Sequence, residues 1–347
     1  MRRKLGIGII GAGMIANSHA KIYSQIKGVK VIAVADIDEG KAKAFAKEHK
    51  VKYTFRDWRD LLSMDEIDAV SICLPVYLHA PATVDSLKAG KHVLCEKPMA
   101  RNASEAEEMV EEARRSGKKL MVYYRSRFSP EARRAKEIID SGELGRVYFV
   151  RCIGHRWRGR PGFDEGMKAF GSWFMKKELA GGGTMMDLGG YSIDLVLGLL
   201  GFPEVESVSC SMYQEIDKEK AVASGVDVEE LAVGYIRLRD GGTIWIESSF
   251  AVNIPDPGGV FLFGSKAGMR LYPLTIYKDR DGKPEEVLVD IPEDRKAAGY
   301  WNPQEHFVDC ILHDKPIQIS SGEEALVVTR IQEAMYRSAE LGREVRL

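Results

Sequence analysis

The stretch GGGTMMDLGGYSIDLVLGLLG, residues 181–201, sets two acids and a phenol inside an apolar run. Asp187, Tyr191 and Asp194 follow an i, i+4, i+7 spacing, which stacks them on one face if the segment is helical. Aspartate and the pair Gly189-Gly190 weaken a helix interior, so helix stability does not explain them. Asp187 and Tyr191, one turn apart, are candidate reactants. Asp194 stands just before LVLGLL and reads as a buried structural acid that receives backbone or arginine hydrogen bonds.

A second set of chemistry-bearing residues lies near the start. GIIGAGMIA matches G-x-G-x-x-G/A between an apolar strand and a helix. In that context Gly11 permits the tight turn, Gly13 admits a pyrophosphate to the helix N-terminus, and Ala16 keeps helix and strand close. Met14 and Ile15 then fall beside the ligand. The alternative is a bare structural turn. Asp36 ends VIAVAD, where a carboxylate accepts from ribose hydroxyls and repels a 2′-phosphate; Ile37 follows where an arginine would favour NADP. The pattern predicts NAD, with NADP possible because Lys41 and Lys43 lie on the next helix. A solvated strand-end aspartate is the plainer reading of Asp36.

Ligands of open α/β sheets bind at the carboxyl ends of the strands. Three further strand ends therefore converge on the nicotinamide: Leu74-Pro75 with His79, Glu96-Lys97-Pro98, and YYRSRF with Arg125 and Arg127. His79 reads as a helix N-terminal residue that touches the cofactor. Pro98 fixes its own φ and keeps Lys97 out of the helical region, so this backbone is held. Positive charge on an oxidised nicotinamide and desolvation both favour a neutral amine at Lys97, which could exchange a hydroxyl proton while hydride leaves the carbon. The plainer reading is a surface lysine paired with Glu96. Arg125 and Arg127 could hold cofactor or substrate, or simply join two domains.

The elements that must position these groups fall into two halves. Residues 4 to about 124 alternate strands at Leu5–Ile10, Val29–Ala35, Ala69–Leu74, His92–Cys95 and Leu120–Tyr124 with helices near 15–26, 39–48, 57–63, 79–89 and 104–116. Such alternation predicts a doubly wound parallel sheet covered on both faces. After Tyr124 the pattern turns to hairpins: 231–238 with 243–250, 260–263 with 268–272, and 275–279 with 286–291, each around a turn sequence. The expectation is a Rossmann-type domain over 1–124 and an α/β domain over 125–347 with a large, mostly antiparallel sheet. The final helix, about 322–341, could pack back on the first domain.

With 347 residues, 45% hydrophobic, 29% charged and a net charge of −1, the chain has no basic field for nucleic acid or anionic membranes. No apolar segment approaches the ~18 residues of a membrane span, and the opening run suits no signal peptide, so a cytoplasmic location is expected. Five dispersed cysteines without a CxxC pair and scattered histidines predict buried free thiols and no metal site.

Together, GIIGAGMIA, Asp36, LPVYLHAP, EKPMA and GGGTMMDLGGYSID give the chain a resemblance, over nearly its whole length, to the glucose–fructose oxidoreductase/inositol dehydrogenase/MocA family. The resemblance implies a Rossmann domain, a second domain with an open antiparallel sheet, and NAD(P)-dependent oxidation or reduction of sugars, cyclitols or related polyols. By position Lys97 matches the family's catalytic lysine and Asp187 its substrate-binding aspartate. Tyr191 stands where many members carry histidine, which marks a tyrosine-bearing branch. A phenol is a poor base near neutral pH unless a cation favours its phenolate. Tyr191 therefore serves either in proton transfer with Lys97, across a cleft, or as a hydrogen-bonding clamp.

Softer candidates complete the substrate set. Trp157 and Arg158, with His155 and Arg160 in the same HRWRGRPGF stretch, and Trp173 in GSWF, offer an apolar face and several donors, as a polyol pocket needs. The same residues also read as a surface loop with two packed tryptophans. Tyr300 and Trp301 could cap such a pocket or pack in the core. Three functions stay open: a sugar or polyol dehydrogenase, an enzyme that retains and recycles its nicotinamide, and a non-catalytic NAD or sugar sensor. A broad sheet with one open face predicts a homodimer or homotetramer.

Overall fold

The computed structural model describes residues 4–255, 258–291 and 302–347. The chain divides into two compact units. The first comprises residues up to Tyr124 together with Asn302–Leu326, and the second Arg125–Trp301 together with Val327–Leu347.

The first unit opens with β1 (Leu5–Ile10), α1 (Met14–Gln25), β2 (Val29–Ala35), α2 (Glu39–His49), β3 (Tyr53–Phe55), α3 (Trp58–Leu62) and β4 (Ala69–Ile72). It continues with α4 (His79–Lys88), β5 (His92–Cys95), α5 (Ala103–Ser116) and β6 (Leu120–Val122). All six strands are parallel, in the order β3-β2-β1-β4-β5-β6. This is the Rossmann order, with the reversal between β1 and β4. Both faces are covered, so strands such as β1 are buried at every residue and read as continuous apolar runs rather than alternating ones. The edge strand β3, three residues long and partly exposed, carries no such run and is absent from the sequence-predicted strands. Helix ends are stopped as the side chains dictate. The Asn102 side chain accepts from Glu105 N to begin α5, and Gly117, at φ +66°, ends it.

The second unit contains α6 (Pro130–Asp140), β7 (Val147–Gly154), α7 (Lys177–Ala180), α8 (Gly190–Leu200), β8 (Val205–Tyr213) and α9 (Lys218–Ala223). The strands β9 (Leu231–Leu238), β10 (Thr243–Ser249), β11 (Gly259–Gly264), β12 (Gly268–Arg270), β13 (Thr275–Arg280) and β14 (Lys283–Leu288) follow. Helix α10 (Pro303–Leu312) lies in the first unit, α11 (Gly322–Leu341) runs through the division at 326/327, and β15 (Val345–Arg346) closes the chain. Nine strands form one mixed sheet, β14-β13-β12-β11-β7-β10-β9-β8-β15. Only β7 and β10 pair in parallel; the other neighbours are antiparallel. The β13–β14 hairpin turns on Asp281 and Gly282, both at positive φ (56° and 79°), the two-residue turn whose twist suits paired strands.

Alternation divides this sheet into a buried and an open face. Val150, Cys152, Ile244, Ile246, Val260 and Leu262 are buried, while Phe149, Arg151, Trp245 and Phe261 on the opposite side are half-buried or exposed. No helix among the described residues is long and apolar enough to cross a membrane.

Candidate active site

In the first unit the nucleotide half is built at the carboxyl ends of β1, β2, β4 and β5. Gly11 sits at φ +96°, and a Cβ there would come within 2.4 Å of Cys73 O, so the turn between β1 and α1 tolerates no side chain. Gly13 differs: a Cβ there would meet nothing within 4 Å. Protein packing does not require this glycine, and what it leaves is open room over the N-terminus of α1. That helix has no side-chain N-cap and no acid in its first turn. Its first N–H groups are thus available to an anion such as a pyrophosphate. Met14 and Ile15 are exposed at the same end, 61% and 40%, and Ile37 reaches 78%. Three exposed apolar side chains near an anion site suit a dinucleotide, whose bases offer flat apolar faces beside the charged pyrophosphate.

Asp36 is fixed by the backbone. Its Oδ2 accepts from Ala12 N at 2.7 Å and its Oδ1 from Asp38 N at 2.9 Å. Each carboxylate oxygen keeps a further lone pair, enough to accept ribose hydroxyls. The residues present therefore fit NAD.

The neighbouring strand ends are knit together. Cys73 N donates to Ile10 O, Glu96 N to Ile72 O, and Tyr123 N to Cys95 O, so each loop rests on the strand beside it. Leu74 and Pro75 are half-buried ahead of a 3-10 turn over Val76–Leu78. His79 is buried, with Nδ1 2.8 Å from Pro98 O and Nε2 2.8 Å from Leu74 O. Burial pushes its imidazole below the ordinary histidine range, against the two carbonyls, which favour protonation. Glu96 is also buried: Oε1 lies 2.9 Å from His19 Nε2, and Oε2 accepts from Lys97 N at 3.2 Å. Lys97 is half-buried, and its peptide bond to Pro98 is cis.

In the second unit the segment that begins GGGTMMD is not one regular helix. Residues Met185–Gly189 form a π-helical turn that runs into α8. The extra residue in that turn alters the i, i+4 relation of Asp187 and Tyr191 assumed from spacing. Asp187 is buried and Tyr191 half-buried. The turn hangs from side chains distant in sequence. Glu229 accepts from Gly183 N and Met185 N, both at 2.9 Å, and from the Tyr336 hydroxyl at 2.7 Å. Gln332 Nε2 donates to Met185 O and Met186 O at 2.8 and 3.0 Å, and Thr184 Oγ1 lies 2.9 Å from Ser248 Oγ. Desolvation holds the Glu229 carboxyl above its usual range despite these donors.

The glycines before the turn serve this brace. A Cβ at Gly182 would lie 2.0 Å from Tyr336 Oη, and one at Gly183 would lie 2.1 Å from Glu229 O. Asp194 is fully buried, with Arg127 Nη1 3.4 Å from its Oδ1. That arginine lies over Phe202 and along Gly198, where a Cβ would come within 2.3 Å of its Nε. Arg127 is thereby a partner of the buried acid of α8. Arg125 is exposed.

In the loop after β7 the charged candidates have protein partners. Arg158 spends its guanidinium on Val252 O at 3.0 Å and Asn253 Oδ1 at 2.7 Å, which ties the loop to the segment after β10. Arg160, almost fully buried, is held by Asp164, Asp217 and Glu230. His155 is buried, with Nε2 3.1 Å from Glu247 Oε2. Trp157 is 60% exposed. Trp173 stacks on Phe174 at 3.8 Å, and Phe174 packs with Leu188 against a small core of Met175, Val228 and Phe250. Leu188, which packs against the same small core as Phe174, belongs to the π turn that carries Asp187. Tyr300 and Trp301 lie outside the described residues. Glu229, Tyr336, Gln332 and His19 escaped the sequence reading, since each acts through a partner far along the chain.

Fold and nucleotide half together define an NAD(P)-binding oxidoreductase. Residues 5–124 match the family model described as oxidoreductase family, NAD-binding Rossmann fold, and residues 132–270 match its GFO/IDH/MocA C-terminal domain. Among curated proteins, D-glucoside 3-dehydrogenase of Escherichia coli is 32% identical, across 99% of this chain and 97% of that protein. Myo-inositol 2-dehydrogenase of Thermotoga maritima is 25% identical over 98% of each. Among solved structures, levoglucosan dehydrogenase with NADH and levoglucosan shares the fold at a TM-score of 0.86 over 99% of each chain, with 21% identity. Aldose-aldose oxidoreductase from Caulobacter crescentus, complexed with glycerol, gives 0.82 at 26% identity, over 99% of this chain and 100% of that one. The chain belongs to the GFO/IDH/MocA oxidoreductase family.

Proposed function

We propose that this enzyme transfers hydride between NAD and a secondary carbinol carbon of a sugar, glycoside or cyclic polyol. One observation carries the reading: Lys97 follows β5 at the same carboxyl edge of the sheet where β1 and β2 carry the glycine turn and Asp36. The chemistry supplied by bound NAD is hydride acceptance and donation at its nicotinamide. Gly11, Gly13, Met14 and Ile15 would hold its pyrophosphate, Asp36 and Ile37 its adenosine ribose. Asp36 also disfavours a 2′-phosphate, so NAD is preferred over NADP. Lys97 takes up the hydroxyl proton during oxidation and returns it during reduction, and on the second unit Asp187 and Tyr191 are the candidate sugar-binding groups. The glucoside and inositol dehydrogenases among the relatives support a ring hydroxyl as the reacting group.

The test is a panel of glucosides, aldoses and inositols with NAD and NADP, read by absorbance of the reduced cofactor, alongside Lys97→Met. Turnover of at least one ring alcohol with NAD, reduced about 10³-fold in Lys97→Met while NADH affinity is kept, is the expected result. Full turnover in that variant removes Lys97 from the chemistry. A second reading, a cofactor retained and recycled between two sugars, draws on the likeness to an aldose-aldose oxidoreductase. Nucleotide released by denaturing the purified protein, near one per chain, would favour it.

The open face of the second sheet supports association with a second copy. Tyr235, Trp245, Arg151 and Phe261 are cross-strand neighbours in one row, and Phe149 pairs with Phe263 in the next. Glu247 stands on the same face, so aromatic surface is accompanied by both signs of charge, as a self-complementary two-fold interface requires. Light scattering should report a dimer or tetramer, and Trp245→Glu with Phe261→Glu should shift it toward monomer.

A further inference from the structure

We infer that His79 and the buried His19–Glu96 pair are positioning residues for Lys97, holding its main chain from both sides. The inference rests on the reading of Lys97 as the proton-transfer group, and it departs from the expectation that His79 and Glu96 touch the cofactor.

The geometry is reciprocal. On the amino side, Glu96 Oε2 accepts the Lys97 N–H at 3.2 Å, and the same carboxylate is anchored through Oε1 to His19 Nε2 at 2.9 Å. His19 belongs to α1, the helix that begins at the glycine turn, and its side chain is fully buried. On the carboxyl side, the carbonyl of Pro98 lies 2.8 Å from His79 Nδ1. The other ring nitrogen lies 2.8 Å from Leu74 O, so a single imidazole spans the loops after β4 and β5. The Lys97 main chain is therefore flanked on each side by a contact to a buried side chain. Both residues are buried to more than nine-tenths, His79 at 1% exposure and Glu96 at 7%. Neither side chain is left over for a ligand in the way an exposed cofactor contact would be.

A neutral imidazole has one N–H and can donate to only one of its two carbonyls. Burial favours that neutral form. The contact that matters for Lys97 is the one to Pro98, since Leu74 lies on the neighbouring loop. Misplacing a reacting group by an ångström or so costs on the order of a hundredfold in rate without any change in what is bound.

Side-chain amides separate the two contacts. Asparagine places its amide nitrogen near the Nδ1 position, glutamine near the Nε2 position. His79→Asn should keep kcat within about threefold of the parent, while His79→Gln and His79→Phe lose about tenfold to a hundredfold. NADH affinity, measured by fluorescence titration, should stay within about threefold in all three. Glu96→Gln, which still accepts the Lys97 N–H, should hold kcat near the parent, and Glu96→Leu should fall with His79→Phe. Thermal melts accompany each variant, and if His79→Phe does not fold, the Asn/Gln contrast decides. Equal kcat for His79→Asn and His79→Gln, or a tenfold loss of NADH affinity at unchanged kcat, overturns the inference. Lys97→Met serves as the reference. Its collapse alongside a fully active His79→Phe sinks only the positioning role, whereas full activity in Lys97→Met sinks the catalytic reading beneath it.

Discussion

The two units place their chemistry by opposite means. In the first, each candidate residue sits on a loop that rests on the adjacent strand through backbone hydrogen bonds, and the sheet order alone gathers the loops. In the second, Asp187 sits in a π turn suspended from Glu229, Gln332 and Tyr336. A parallel sheet supplies a common edge through its backbone, with special residues needed only locally, as at Gly11 and around Lys97. A helix with an irregular turn needs a partner for each displaced backbone group, and those partners are buried side chains. Ligand-facing positions in the first unit should therefore be mutable without loss of fold, and brace positions in the second should not.

Arg127→Met gives the sharpest contrast. It withdraws the guanidinium from the buried Asp194 carboxylate and should cost about 3 kcal/mol of stability, read in a denaturant melt. Gly183→Ala drives a methyl group toward Glu229 O, and about 2 kcal/mol should be lost as the π turn shifts. A melt unchanged from the parent would mean that the brace yields easily and the contrast is overstated. Gly13→Ala should do the reverse, with an unaltered melt and NADH affinity reduced about tenfold, equivalent to about 1.4 kcal/mol, because its methyl enters room meant for the pyrophosphate. Should Gly13→Ala destabilise as Gly183→Ala does, the two units would not differ in the way described.

The smallest effect lies at the other edge of the first sheet. His92 begins β5, and its Nδ1 accepts from Lys119 N at 3.0 Å. Burial, helped by Lys118 and Lys119, lowers its pKa to about 4. A histidine depressed in the folded state adds stability above its unfolded pKa of ~6.5, and that stability fades as pH falls toward 4. His92→Asn keeps an acceptor for Lys119 N and should flatten the pH dependence between those values by up to about one proton, with turnover unmoved. An unchanged slope would show that His92 titrates normally.

The first unit was nearly legible in the sequence because its signals are local. Gly11, Gly13, Asp36 and Lys97 each stand within a few residues of a strand that announces itself by burial. Only β3 was hidden, since three half-exposed residues carry no pattern. In the second unit the hairpins were legible from their turns, but β8 was not: VESVSCSMY alternates small polar residues whose burial depends on neighbours elsewhere. The i, i+4, i+7 spacing of Asp187, Tyr191 and Asp194 pointed to a regular helix, and nothing in those residues betrays a π turn. The side chains that brace it, Glu229 and Tyr336, lie 46 and 153 residues beyond Gly183. The same distance concealed why Gly182 and Gly183 are glycines: they make room for protein, not for ligand.

The five buried thiols offer a way to time the two units separately. Cys73, Cys95 and Cys310 belong to the first, Cys152 and Cys210 to the second. Burial pushes Cys152 up to about 11 and Cys210 to about 12, so reaction with an alkylating reagent waits on opening of the surrounding structure. Peptide-resolved alkylation would then act as a pair of internal clocks, one for each unit, and an added ligand would slow whichever clock belongs to the unit it binds.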